Sequence, residues 1–513
     1  MKKLPILTAL ILSAVLVFAA GGGEEPQPET TSGDEMVKYS GEIVASIPAS
    51  DYSKVAAESL IKAYNEYQPD VKVYWESVSS GYPSWLTTQL AAGVVRPDIV
   101  AGNYAKSYQK YVDFNKYRYA TNPYTGQSWS EDFDFNHLDN PLTLPDGKRY
   151  LIGTQAVDII WLYNVDIFNE VGAEAPTNWE EFADVSRKIK AAGYVPIATT
   201  ERNLSQWITQ AYWQQYNQPA KEIAKSKPGD YNYDPDVEYT WNVARFYRGI
   251  RDGEIRFDTP EMVEFITNMK KIFPQYATED LYVLPDPYPL FLQQKAAMTV
   301  QTSGAIGRTK RDMGILDDTT RLEELKIDIN AKLKPFQWGV FPHPPMTGGL
   351  VNAPNRVFSS ITGEYISAIE KNQRQTDMVV DFIRFWVSAP GYQAWVEGYL
   401  GGDRGWTPGG PLLVSGVNIP REYQELLDSI GLDKKEGNPM TTPDRLLTSV
   451  VGGAAGMDKA AFELYRQALH DEITPKQFAA NFQALVTDNF DKIIGAINLA
   501  PERLDSPERS PTE

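Results

Sequence analysis

GKRYLIGTQAVDIIWLYNVDIFNEVGAEAPTNWEEFADVSRKIKAAG, residues 147–193, is the stretch from which the fold is read. Order begins at Arg149–Asn164, after a polar stretch, and a helix follows. Thr177 and Glu180 stand at capping-box spacing, where a hydroxyl and a carboxylate satisfy the first free amides of a helix. Trp179, Phe182, Val185 and Ile189 fall mostly on one face. Gly193 ends the helix, because the left-handed turn after a last helical residue suits glycine. Val195–Ala198 then reads as a strand, so a second α/β unit begins near residue 160.

The chain before this stretch has the same rhythm. Gly41–Ser46 reads as a buried strand. Ala56, Leu60, Tyr64 and Tyr67 form a helical stripe that Pro69 stops. Val71, Val73 and Trp75 alternate with polar or half-polar residues, as in a half-buried strand. Residues 83–92 read as a helix ending at Gly93, and Pro97–Ala101 as a short strand. Strand, helix, strand, helix, strand with short connections implies a parallel sheet covered by helices. Residues 114–148 and 218–260 break the rhythm and read as polar excursions. Helix returns over about 261–273, strands at Ala297–Gln301 and 361–369, and the remainder is largely helical, without internal repeats.

Composition narrows the function. Lysine and arginine total 49 against 67 acidic residues, a net charge of −18, which argues against nucleic acid as a partner. No cysteine is present, so disulfides, thiolate metal sites and cysteine nucleophiles are excluded. His137, His343 and His470 show no metal-ligand spacing, and neither a metal nor a cofactor is expected. Lys2 and Lys3 precede an apolar run from Leu4 to Ala20, closed by Ala19, Ala20 and Gly21, which reads as a secretory signal over 1–20. Residues 21–39 read as a flexible leader and 506–513 as a disordered tail. The mature protein is therefore expected outside the cytosol, in the periplasm or at the outer face of the cytoplasmic membrane. A cysteine lipid anchor is not possible in this sequence.

Five pieces, in order, resemble the family-1 extracellular solute-binding proteins of ABC importers, the maltose-binding-protein type. They are YNEYQPDVKVYWESV (64–78), LTTQLAAGVVRPDIVAGN (86–103), the stretch 147–193, FLQQKAAMTVQTSGAIG (291–307) and DFIRFWVSAPGYQAWVEG (381–398). Three features depart from the pattern, one being extra length, mainly at 114–148 and 310–336. No cysteine follows the signal, and Gln301–Gly304 stands where many relatives end the return strand in tryptophan. The resemblance implies a type II-like periplasmic-binding-protein fold: two discontinuous α/β lobes, joined by hinge crossings, with ligand in the cleft between them. It implies an N-terminal lobe of 40–156 and 298–362 and a C-terminal lobe of 157–297 and 363–505. Crossings are expected near Ala156–Asp158, Ala296–Thr299 and Thr362–Ser367. It further implies a monomer that captures a mono- or oligosaccharide and delivers it to the permease subunits of an ABC transporter.

The site residues follow from position in that pattern. Asp51 opens the first helix, as a ligand or an N-cap. Tyr82 lies after the second strand, and Asn103 after the third, where a turn is the plainer reading. Gln155 and Asp158 flank the first crossing; Asp158 resembles an acidic position that binds sugar in maltose-type relatives, or serves a hinge hydrogen bond. Trp161 reads as ligand or core. Glu201 and Trp207 follow the strand of the second lobe, Thr302 and Ser303 the return strand, and Glu364 and Tyr365 lie at the third crossing. Trp406, in GGDRGWTPGGP (401–411), resembles the family's late cleft loop and is the foremost candidate for stacking on a sugar. Arg404 beside it reads as a ligand donor or as the partner of an acid. A sugar has apolar faces and a polar rim, so it needs aromatic rings and hydrogen-bonding groups together.

Three other classes stay open on sequence, one of them a surface adhesin or structural protein with no closed cleft and no small-ligand response. A secreted glycoside hydrolase would need two carboxylates across a scissile bond, and no segment resembles such a site; no catalytic residue is expected. A binder of a polyamine or a metal ion would exploit the acidic charge.

Overall fold

The computed structural model describes residues 36–510, apart from 49–52, 93–94, 103–107, 135–147, 234, 236–238, 357–358, 401–409, 430–455 and 498. The expected signal and most of the leader lie outside the described residues. Among those described, no helix is long and apolar enough to cross a membrane.

The first lobe is built on β1 (Gly41–Pro48), which pairs in parallel with both β2 (Val71–Val78) and the short β3 (Ile99–Val100). Helices α1 (Ser53–Tyr67) and α2 (Tyr82–Ala91) connect them. The long strand β4 (Ile152–Asn164) then runs from this lobe into the next. Its first half pairs antiparallel with β8 (Ser359–Ala368), from Ile152 opposite Ile366 to Asp158 opposite Ser359. Its second half pairs antiparallel with β6 (Ala296–Thr302) and β7 (Trp338–Phe341), and β5 (Val195–Ala198) joins β6 in parallel. The strand order is β2-β1-β3-β8-β4-β6-β5, with β7 beside β4.

Helices α3 (Trp179–Ala191), α4 (Thr209–Trp213) and α5 (Ala305–Met313) belong to the middle of the chain, α6 (Gln373–Trp386) and α7 (Ala389–Leu400) follow β8, and α8 (Asp458–Leu469) and α9 (Pro475–Asp488) come last. Packing assigns them. Ile43, Ala45, Leu60, Ile366, Phe382, Trp386 and Trp395 share one apolar core. Trp161, Trp179, Phe182, Tyr212, Met298 and Phe482 share another. On β4, Ile159 and Trp161 enter this second core, whereas Ile160 and Leu162 enter a third cluster with Ile306, Leu322 and Phe336. Successive side chains on a strand point to opposite faces, so the second-lobe sheet is buried on both sides.

Three expectations are corrected. The β6 strand and the chain from 305 to 340 pack with the second-lobe sheet, not the first, because β6 lies antiparallel along the second half of β4 and, among the described residues, has no strand partner in the first lobe. Helices α6 and α7 pack against α1 in the first lobe, because β8 has carried the chain back beside β3. The start of β8, Ser359–Ile361, lies opposite Ala156–Asp158, ahead of the expected Thr362–Ser367. The N-cap of α3 is Asn178, one residue beyond Thr177: Asn178 Oδ1 accepts the Glu181 amide at 3.0 Å, and Glu181 Oε2 accepts from the Thr177 amide and hydroxyl.

The polar excursion at 218–260 is not all surface. It includes a helix, Val243–Arg251, whose Val243, Phe246 and Tyr247 are buried. Residues 506–510, expected to be loose, are anchored: the Pro507 carbonyl accepts from Asn242 Nδ2 at 2.8 Å and from the Tyr231 amide at 3.2 Å.

Candidate functional site

A cavity of about 750 Å³ opens beyond the carboxyl ends of β5 and β6. Open α/β sheets place ligands at such strand ends, where loops begin and side chains converge. Thr200 follows β5 and turns the chain into a helix; its hydroxyl oxygen accepts the Asn203 amide at 3.1 Å. Glu201, Asn203, Gln206, Trp207 and Gln210 then face the cavity. The loop Tyr282–Pro287 forms a second wall, and Phe462 and Tyr465 of α8 with Phe478 and Phe482 of α9 form a third. Rings and polar groups thus share one enclosure.

Gln301, at the end of β6, closes the base. Its Oε1 accepts from Arg308 Nη2 at 3.0 Å, and its Nε2 donates to Thr299 Oγ1 at 3.3 Å. The Arg308 guanidinium lies 3.7 Å from the centroid of the Tyr288 ring, a cation–π contact that holds the arginine behind the glutamine. Tyr282 shares a 2.7 Å hydrogen bond with His470 Nε2. Burial is the main reason that its phenol is pushed up to about 12, with the charge of nearby Glu201 adding to it and Arg466 opposing it. Tyr282 therefore stays neutral at physiological pH.

A second group of expected residues gathers at the seam between the lobes. The Ser303 amide donates to the Asp158 carbonyl at 2.7 Å, and the Asp158 amide donates to Ser303 Oγ at 3.0 Å. Gln155 Nε2 donates to the Tyr392 hydroxyl at 2.9 Å, tying β4 to α7. The Ala156 amide donates to the Pro411 carbonyl at 2.8 Å. Gly410 packs so closely that a Cβ there would lie 2.4 Å from the Ala156 carbonyl oxygen and 2.7 Å from Ser303 Oγ. Gln155, Asp158 and Ser303 are all buried, and these contacts knit β4, the end of β6 and the 410–414 segment together.

Glu201 and Trp207 line the cavity, and Thr302 adjoins Gln301 at its base. Tyr82 is buried in the first lobe, where its hydroxyl donates to the Ser46 carbonyl at 2.7 Å and accepts the Ala101 amide at 2.8 Å, bridging the ends of β1 and β3. Trp161 is fully buried, packs on Phe182 and Phe341, and donates through Nε1 to His343. Tyr365 lies on β8 opposite Gly153 and packs against the first-lobe core. Glu364 belongs to the backbone of β8. Asp51, Asn103, Arg404 and Trp406 lie outside the described residues. Sequence reading missed Asn203, Gln210, Gln301, Tyr282 and the ring wall of α8 and α9. Gln301 stands one position from the expected Thr302; α8 shows helical periodicity, but periodicity does not say which cavity a helix borders. Among the described residues no group of three or more His, Asp or Glu side chains is placed to hold a metal.

Two α/β lobes threaded by one shared strand, with a cavity at strand ends, define a solute-binding architecture. Residues 50–393 match the family described as bacterial extracellular solute-binding protein, and the chain belongs to that family. Solved structures agree in fold. The ligand-free form of RafE from Streptococcus pneumoniae aligns over 89% of this chain and 100% of its own, at TM-score 0.57 and 15% identity. The cyclic alpha-maltosyl-1,6-maltose binding protein of Arthrobacter globiformis aligns over 88% and 99%, at 0.55 and 15%. A chitin oligosaccharide binding protein aligns over 88% and 99%, at 0.53 and 18%. No curated protein matches the chain by sequence.

Proposed function

We propose that the protein captures a carbohydrate outside the cytoplasm and delivers it to the permease of an ABC transporter, without chemical conversion. One observation carries the reading: the cavity on the second lobe combines ring faces (Trp207, Tyr282, Phe462) with side-chain hydrogen-bonding groups (Glu201, Asn203, Gln206, Gln210). A sugar matches that pairing, since its apolar faces gain from ring contact and each unpaired buried hydroxyl would cost about 1–3 kcal/mol. The solved structures of similar fold support the same class, because their names state binding to raffinose, a cyclic maltosyl-maltose and chitin oligosaccharide.

In this reading the N-terminal lobe is formed by 40–156 with β8, α6 and α7, and the C-terminal lobe by the chain from 157 to β7 with α8 and α9. The second-lobe cavity is half of the site; the first lobe closes over it and supplies the contacts that favour the closed state. The apolar run at 4–20 acts as an export signal, and the protein works as a monomer. Glu201, Trp207 and Thr302 are ligand contacts, whereas Asp158 and Ser303 brace the hinge.

Isothermal titration of the purified protein with raffinose, maltotriose, chitotriose, spermidine and ferric citrate tests this. Saturable binding of a saccharide, with the saccharide recovered intact, is expected. Binding of spermidine or iron with none of any saccharide would remove the carbohydrate reading, and sustained release of cleaved sugar would replace binding with hydrolysis.

A further inference from the structure

Asn203–Ile208 forms a π-helix between β5 and α4, on the cavity wall. From Ile208 to Tyr216 every side chain is buried, so the chain downstream meets the core on all faces. The π-helix itself divides its side chains: Asn203, Leu204 and Ile208 are buried, Gln206 is exposed and Trp207 half-buried. π-turns are rare features that tend to occur at functional sites.

One side chain locks the wide turn. The Thr209 amide donates to the Leu204 carbonyl, five residues back, and Thr209 Oγ1 donates to the same carbonyl at 2.7 Å. In a regular α-helix a threonine hydroxyl bonds three or four residues back. The contact with Leu204 therefore belongs to the π register. Thr209 is buried, and Trp207 stands two residues before it, half-buried on the cavity wall.

We propose that Thr209 is a positioning residue of the binding site: its hydroxyl holds the π-turn, and the π-turn sets Trp207 against the ligand. Loss of the extra residue per turn would rotate the upstream side chains by about 100° relative to the core, taking Trp207 off the wall. The ligand role of Trp207 rests on the function proposed above; the coupling of Thr209 to the Trp207 position does not.

The test uses the full chain labelled with 5-fluorotryptophan and observed by fluorine NMR without ligand, the Trp207 resonance being identified by its loss in Trp207→Phe. In Thr209→Val the Trp207 resonance is expected to move, while the signals of tryptophans in the first lobe stay in place. Thr209→Ser, which keeps the hydroxyl, is expected to restore it. Thr209→Ala gives the same reading if the valine variant does not fold. A Trp207 resonance that keeps its wild-type position in the variant lacking the hydroxyl overturns the proposal, whatever the protein binds. Maltotriose titration provides the functional arm: about tenfold weaker binding for valine and near wild-type binding for serine are expected. Should the wild type bind no saccharide, the carbohydrate reading fails while the spectrum still decides the positioning claim.

Discussion

Trp161 Nε1 donates to His343 Nδ1 at 3.0 Å, deep in the second lobe where neither residue meets solvent. An imidazole nitrogen can accept only when it is unprotonated, so the ring is neutral with its proton on Nε2. Burial pushes the histidine down to about 3 from its ordinary 6.5. In the unfolded chain it takes up a proton near pH 6.5, and in the folded chain only near 3. Between those values the unfolded state binds more protons, so stability is complete above about pH 6.5 and declines as pH falls toward 3. The loss is on the order of 5 kcal/mol at about 1.36 kcal/mol per pH unit. Urea denaturation midpoints across pH 3–7 measure it. His343→Gln keeps an acceptor for Trp161 without a titrating group, and is expected to flatten part of the acid limb.

Glycine positions test the packing of the lobes. Gly398 of α7 lies against α1, and a Cβ there would stand 2.7 Å from Ala56 Cα and 2.9 Å from the Val55 carbonyl oxygen. Backbone cannot yield cheaply, so Gly398→Ala is expected to cost about 1–3 kcal/mol. Gly495, in the helix Phe490–Ala496, is exposed, and a methyl added there would meet nothing within 4 Å. Gly495→Ala is expected to stabilise by about 0.5–1 kcal/mol through helix propensity. Denaturant unfolding of both variants checks the opposite signs.

The apolar stripe of α3 was legible in the sequence because helical spacing is a local signal, and it gave the buried face, whereas Ile159–Leu162 is an unbroken apolar run that does not assign the two faces of β4. The cap shifted by one residue because Thr177 and Asn178 both suit an N-terminus, and only backbone geometry chooses between them. Lobe membership was not legible. It depends on whether β6 pairs with β4 or crosses, and on where β8 rejoins β3, both long-range pairings without a local mark. The same limit applied to the site. Glu201 and Trp207 could be found because they follow a strand end, whereas Phe462 and Tyr465 reach the cavity from a helix far along the chain.

The C-terminal segment contributes a measurable share of stability. Asn242 is fully buried and caps the helix Val243–Arg251, its Oδ1 accepting the Ala244 and Arg245 amides at 3.0 and 3.2 Å. Its Nδ2 donates to the Pro507 carbonyl. Truncation after Asp505 keeps the Arg251–Asp505 ion pair but strips that acceptor. A buried donor left unmatched costs about 1–3 kcal/mol. The truncated chain is expected to unfold at lower denaturant by that amount, and faster amide exchange confined at first to residues 243–251 would locate the loss.

Under the proposed function, Glu201 and Trp207 separate the two halves of sugar recognition, since one offers a carboxylate and the other a ring face to the same cavity. Glu201 is exposed, and its isosteric change to Gln removes the carboxylate with little change in shape. A hydrogen bond to a charged group contributes about 1.5–3 kcal/mol, more than a neutral one, so Glu201→Gln is expected to weaken saccharide binding by about tenfold. Trp207→Ala removes the ring, and truncating a central tryptophan typically costs about 2 kcal/mol or more, roughly thirtyfold in affinity. Both effects belong in the dissociation constant, with the denaturation midpoint of the glutamine variant unchanged. Calorimetry with the tightest saccharide found for the wild type makes the measurement. Wild-type affinity in both variants would place the ligand elsewhere and remove this cavity from the binding site.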